Sequence, residues 1–259
     1  IQLFTLKMAQ GQSMYGTYGH HPANPRADGS GRLSVGGYGP VNSAGLPANL
    51  SMVMGRKALL AGSQKVDPQI DAAIERAAKF FAWIVNKGSI PYGENAPAAG
   101  DHASNGKDQS AAVFFSQLEN REAETEYFTR MSVAGFVGRE YGHTGQGLSY
   151  LWEGVAAQIG GQKAMSAYMK QNLWHLDLSR RTDGSFAYDG GEQFGAGRTA
   201  DGTYLGDSDY KALNPTAIYL LNYSIPLKRL YITVLLDRLM MEWTFQLIIC
   251  RNFKGQAHG

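Results

Sequence analysis

The strongest constraint on this chain is a set of evenly spaced Tyr-Gly loops. Tyr38-Gly39, Tyr92-Gly93, Tyr141-Gly142 and Tyr188-Asp189-Gly190 recur with tyrosine spacings of 54, 49 and 47 residues. Each loop is followed, after a variable insert, by a small or polar residue and then an apolar run. These are Asn42-Ser43-Ala44-Gly45-Leu46, Asp108-Gln109-Ser110-Ala111-Ala112, Thr144-Gly145-Gln146-Gly147-Leu148 and Asn214-Pro215-Thr216-Ala217-Ile218. A period near 50 that holds two helices and one long loop is the signature of stacked helical hairpins.

The helices follow from local chemistry. Asp67 is a good N-cap and Pro68 suits the first helical position. Ile70, Ala73, Ile74, Ala77, Phe81, Ile84 and Val85 then form one stripe of period 3.6, which Asn86-Lys87-Gly88 stops. Glu122, Glu124 and Glu126 mark the early turns of a helix running from near Asn120 to near Gly135. Another spans about Gly161 to Trp174. Mostly apolar helices are expected over about Ala44–Ala61, Gln109–Leu118, Gln146–Ile159 and Pro215–Tyr223. Amphipathic and apolar helices thus alternate, and strand signals are nearly absent. Every long loop joins the end of an amphipathic helix to the start of an apolar one. Parallel stacking would therefore gather the loops on one rim, beside helix N-termini whose free N–H groups favour anionic or oxygen-rich ligands.

Composition excludes several alternatives. Glycine is abundant, 32 of 259 residues, but has no three-residue period, so a collagen helix is excluded. With Lys+Arg 24 against Asp+Glu 22 and both signs dispersed, no nucleic-acid footprint appears. Cys250 is the single cysteine, which rules out an internal disulfide framework and any multi-cysteine zinc site. The most apolar segment, Leu230 to Cys250, carries Asp237, Arg238 and Glu242, so a buried terminal helix is expected there rather than a membrane span. The chain starts at Ile1 without an export signal and is expected to be a fragment, so its compartment stays open, with the cell envelope a guess. The lone cysteine fits secretion and cytoplasm alike.

The repeats Gly36-Gly37-Tyr38-Gly39-Pro40-Val41-Asn42-Ser43-Ala44-Gly45-Leu46 and Asp183-Gly184-Ser185-Phe186-Ala187-Tyr188-Asp189-Gly190-Gly191 resemble the α/α-toroid repeats of prenyltransferases and squalene cyclases. From about Tyr15 to Thr233 the chain is similar to an uncharacterised bacterial, planctomycete-type family with toroid-like repeats. The stretches Arg139 to Trp152 and Trp174 to Phe186 carry that likeness. The resemblance implies an all-α fold of three to four stacked hairpins forming an arc or partial α/α toroid over 1–233, with 234–259 a divergent tail. It brings no activity. The prenyltransferase zinc site is missing because Cys250 lies outside the loops. Asp207-Ser208-Asp209-Tyr210 is one carboxylate short of the cyclase Asp-x-Asp-Asp motif.

Candidate chemistry lies in the loops. The second offers Tyr92, Glu94, Asp101, His102, Asn105 and Lys107, an acid, a base and an imidazole within sixteen residues. The plainer use is that His102 and Asn105 cap the next helix. In the third loop, Arg139, Tyr141 and Gln146 flank His143, which sits between Gly142 and Thr144-Gly145 where the backbone comes close to a ligand. The fourth holds Arg181, suited to clamping a carboxylate or sulfate, with Tyr188 and the acid–base candidates Asp189 and Glu192. Asp183-Gly184 there suits a turn. Tyr38 completes the rim. His20 and His21, adjacent and pointing apart on regular structure, make a poor chelate, so no metal is expected and no cofactor is called for. The Gly-x-Gly patterns follow no strand, and Gly-x-Ser-x-Gly does not occur. Asn49-Leu50-Ser51 and Asn222-Tyr223-Ser224 match the glycosylation triplet but fall in expected helices.

A rim of Tyr, His, Asn, Arg and carboxylates suits a sugar better than a terpene. The expectation is a carbohydrate-processing or carbohydrate-binding domain, a hydrolase or lyase if an enzyme, acting on a polysaccharide or another polar small molecule. The alternative is a non-catalytic helical-repeat scaffold presenting its concave face to a peptide or protein.

Overall fold

A computed structural model describes residues 1–25, 27, 39–93, 97, 106–135, 145–186 and 216–227, with backbone alone at 145–148. Eight α-helices occur among them: α1 (Gln2–Gly11), α2 (Asn42–Ala61), α3 (Pro68–Ala82), α4 (Lys107–Ser116), α5 (Glu122–Ala134), α6 (Gly145–Ile159), α7 (Gly161–Leu178) and α8 (Thr216–Ser224). A 3-10 turn, Ile225–Leu227, follows α8. The described residues form no strand, only isolated bridge residues, among them the pair Arg180 and Phe186. None of their helices is long and apolar enough to cross a membrane. All eight belong to one compact unit, Ile1–Arg229.

The fold class is all-α, as the periodicity requires. Asp67 caps α3 by accepting the Gln69 N–H at 2.9 Å, with Pro68 at the first position. The stripe of Ile70, Ala73, Ile74, Ala77 and Phe81 is buried. Each such Ile or Phe contributes roughly 1.5–3 kcal/mol relative to exposure. The helix itself stops at Ala82, short of Asn86-Lys87-Gly88. Between them Ile84 N–H donates to Phe81 O and Val85 N–H to Ala82 O, so the chain tightens into three-residue turns before Asn86 (φ +63) ends it. Helix α1 carries no sequence stripe. Leu3 and Phe4 are exposed, while Thr5 packs on Gly55 of α2 and Leu6 and Ala9 turn toward the core.

Two rows result. α2 packs on α4, α4 on α6, and α6 on α8, while α1, α3, α5 and α7 lie on their flanks. Connections 62–67, 117–121 and 160 are short, whereas 12–41, 83–106, 135–144 and 179–215 are long and each leads into a helix of the first row. α2 and α4 start at the same end, because both N-termini bond to segment 89–93. α6 and α8 run parallel, with Tyr150 O accepting from Asn222 and a Cβ on Gly154 meeting both Asn222 and Ile225. α4 is the most enclosed helix, buried from Lys107 to Phe115. Rings tie the hairpins together: Phe81 to Phe114 at 6.4 Å, Phe114 to Phe115 at 5.1 Å, and Phe115 stacked on Phe128 at 5.6 Å.

Buried amides fix the register. Gln12, fully buried, donates to Asn49 Oδ1 at 2.8 Å and Ala73 O at 3.0 Å and accepts from Arg76 Nε at 2.8 Å. Asn49 also donates to Gly16 O at 2.9 Å. Asn222 accepts from the Tyr168 hydroxyl at 2.5 Å. Both triplet asparagines, Asn49 and Asn222, are thus enclosed structural groups, 0% exposed.

Candidate functional site

Among the described residues, the long loops before α2, α4 and α8 are held at the N-terminal ends of those helices by side chains from the first helical turn. Asn42 accepts from the Thr17 hydroxyl at 2.7 Å and donates to Pro91 O at 3.0 Å and Gly93 O at 2.8 Å. Its own N–H donates to Tyr92 O at 2.9 Å. Asp108, fully buried, accepts from the Ser89 hydroxyl at 2.9 Å and the Ile90 N–H at 3.0 Å. Thr216 Oγ1 accepts the Phe186 N–H at 3.0 Å. A related device recurs: a polar side chain opening a first-row helix captures loop backbone, Asp108 and Thr216 that of the loop before their own helix and Asn42 that of the loop before α4, doing for the loop what a cap does for a helix. Tyr92 is pinned between α2 and α4 by this means.

The opening turn of α4 is unusual for its polarity. Lys107, Asp108, Gln109 and Ser110 are all buried, with exposures of 3, 0, 0 and 1%. Gly106, at φ +67, lets the chain enter the helix there, and the Ser110 hydroxyl bonds back to Gly106 O at 2.7 Å. Among the described residues, neither polar atom of the Gln109 amide has a protein partner. Burying polar groups without partners costs about 1–3 kcal/mol each, a cost that functional sites tolerate.

A second cluster lies where α6, α7 and α8 meet. His175 stacks on Tyr150, centroids 5.3 Å apart and planes 8° apart, and its Nε2 is 3.2 Å from the Tyr219 hydroxyl. Phe186 meets Tyr219 edge-on at 5.6 Å, so the Arg180–Phe186 turn closes one side. Trp174, 57% exposed, stands edge-on to His175 at 5.7 Å. Glu153, fully buried, follows Tyr150 by one turn on the same flank of α6. Tyr223 donates to Asp177. An imidazole bonded to a phenol between flat rings can hold or pass a proton and can stack on an apolar ring face.

The sequence candidates distribute unevenly. Tyr92 is half-buried at the α2–α4 junction. Lys107 is buried within α4 rather than in the loop. Gln146 lies in the first turn of α6. Arg181 is exposed in a tight turn, its N–H donating to Ser185 O at 2.8 Å. Asp183 plays the turn role: its carboxylate accepts from the Ser185 N–H and hydroxyl, which hold its pKa below the ordinary value with help from Arg181. Tyr38, Glu94, Asp101, His102, Asn105, Arg139, Tyr141, His143, Tyr188, Asp189 and Glu192 lie outside the described residues.

Sequence reasoning missed His175, Tyr150, Tyr219 and Glu153 as site residues. For Glu153 a signal existed: it is the one carboxylate in the apolar run 145–159, and a lone charge there is either paired or functional.

The sequence profile of a family described as "Domain of unknown function (DUF6288)" matches residues 1–233. No curated protein and no solved structure matches the chain.

Proposed function

The chain belongs to the family of the Domain of unknown function (DUF6288), and we propose from the chemistry of its own site that it binds or processes carbohydrate at the loop ends of the first-row helices. One observation carries this reading. The groups gathered there are flat aromatics and hydrogen-bonding side chains held out of bulk water, with His175 against Tyr150 and Tyr219 in one cluster and Lys107, Asp108 and Gln109 in the other. Sugars are recognised by that mixture, rings taking C–H faces and planar polar groups taking hydroxyls.

In this reading the two rows are an arc of an α/α toroid of the planctomycete-type bacterial family, with its polar site on the rim. His143 with Glu94, Asp101 or Asp189 performs the acid–base step, and Arg181 and the rim tyrosines orient the chain. A hydrolase needs two carboxylates roughly 5–9.5 Å apart. A lyase needs an Arg and a Tyr or His without that pair.

The test is a panel of bacterial and algal polysaccharides, scored for product release and for binding. Wild type is expected to turn over at least one member. His143→Ala should lose about 10²–10⁴ of the rate, the range for a positioned acid or base. His175→Ala should weaken binding. A wild-type protein that neither binds nor cleaves any member overturns the proposal, and unchanged turnover in His143→Ala removes that residue from the chemistry.

A further inference from the structure

The core stripe of α3 leaves its opposite flank to Ala72, Glu75, Arg76, Lys79, Phe80 and Trp83. Trp83 is 55% exposed at the helix end, with Phe80 one turn before it. The chain turn after α1 adds Met14 and Tyr15, 41 and 43% exposed. Together they form a groove of about 630 Å³. The turn sits this close because Gly16, at φ +98, lies directly on the α3 backbone at Arg76 and Ala77. Contiguous exposed aromatics of this kind are uncommon on a surface without a partner.

The groove contains one rigid cation. Arg76 Nε is fixed to buried Gln12 at 2.8 Å, and Gln12 is itself fixed by Asn49 and Ala73. Among the described residues no protein group bonds the terminal nitrogens of Arg76, so its fork is pre-oriented without being used. The lining carries two cations, Arg76 and Lys79, against one carboxylate, Glu75, which is shared between Lys79 at 3.9 Å and Arg121 at 3.2 Å, and Lys87 Nζ lies 3.9 Å over the Trp83 ring.

We infer that this groove is an accessory binding site for an anionic, uronic-acid-bearing oligosaccharide. Trp83 and Tyr15 take the C–H faces of the sugar rings, and the guanidinium of Arg76 takes the carboxylate in the two-pronged geometry that a lysine cannot offer. An acidic peptide lacks the rings. A nucleic acid needs a longer basic track than a chain of net charge +2 provides. The site shares its ligand class with the loop-end proposal but none of its residues.

The test titrates the whole chain with galacturonate oligomers, cello-oligosaccharides and polyglutamate, by calorimetry and tryptophan fluorescence. Galacturonate oligomers are expected to bind and the other two to bind at least roughly ten-fold more weakly. Trp83→Ala and Arg76→Gln should each lower galacturonate affinity by roughly ten-fold or more, as anchors of a small interface do. Arg76→Gln disturbs Gln12, so Lys79→Gln, fully surface-borne, is the second charge variant. It should weaken binding a few-fold and flatten its salt dependence. Absence of galacturonate binding, equal affinity in Trp83→Ala, or equal binding of polyglutamate overturns the inference. Polysaccharide turnover that persists while Trp83→Ala changes no affinity overturns the groove and spares the loop-end site. Groove binding with a silent turnover panel does the reverse.

Discussion

Replacing Gly16 by alanine separates two costs that glycine avoids. Gly16 has φ +98, and a Cβ built there lies 2.7 Å from three backbone atoms, Ala77 N and Arg76 C and O. Backbone of a helix cannot move aside as a side chain end can. The left-handed conformation alone costs an L-residue about 1–2 kcal/mol. Forcing a methyl against a packed wall adds about 1–3 kcal/mol. The stiffer unfolded chain returns roughly 0.4–1 kcal/mol. Gly16→Ala should therefore lose about 2–4 kcal/mol, a large share of the stability of a typical domain. Gly161 and Gly184 provide the controls: φ is +80 and +85, and nothing lies within 4 Å of a built Cβ. Their alanine variants should lose only the conformational term, about 1 kcal/mol. In urea unfolding followed by circular dichroism, with a slope of about 2 kcal/mol/M, the midpoint should fall by about 1–2 M for Gly16→Ala and about 0.5 M for the controls. A Gly16→Ala midpoint level with that of Gly161→Ala would refute the clash argument. The same variant should loosen Gln12 and Asn49, both of which donate to Gly16 O.

Two further outcomes follow from buried or half-buried polar groups. Asn222→Ala removes a buried acceptor of the Tyr168 hydroxyl and a buried donor to the Tyr150 carbonyl and should cost about 2–4 kcal/mol, read as a lower thermal midpoint, whereas exposed Ser51→Ala should be neutral within about 0.5 kcal/mol. Tyr223 has its pKa pushed up to about 12, by desolvation first and then by the Asp177 carboxylate it bonds. The unfolded phenol ionises near 10 and the folded one later. That contribution to stability is therefore complete below pH 10 and lost as pH rises toward 12, and Tyr223→Phe should flatten stability over that window in denaturation scans.

The helices were legible because their signals are local. Asp67-Pro68, the glutamates opening α5 and the periodic stripe of α3 each act within a few residues, and the observed boundaries fall close to those expected from them. α1 escaped notice because its contacts are distant ones: Thr5 meets Gly55, and Tyr18, whose phenol burial holds un-ionised well above its ordinary range, reaches back to Met8 O. The loops could be recognised from their Tyr-Gly spacing, and Tyr92 with them. His175 could not, because its partner Tyr219 is 44 residues away, and the Asn222–Tyr150 bond that aligns their helices spans 72. Periodicity reports which face of a helix is inward. It does not report which side chain of another hairpin waits there. The polarity of the α4 opening was visible as Asp108-Gln109-Ser110, but as a helix start; that it is sealed from solvent depends on α2 and α6 packing around it.

Asn42 belongs to one hairpin by sequence and to two by bonding, since it accepts from Thr17 behind it and donates to Pro91 and Gly93 ahead. The hairpins of this chain are consequently not interchangeable cassettes. A graft or deletion cut in the 62–67 turn, the obvious seam, would leave two carbonyls of the following loop without donors. An engineer who wished to exchange the α3–α4 hairpin would have to carry Asn42 along with the loop it grips. Between these two hairpins the natural module boundary runs through the first turn of α2.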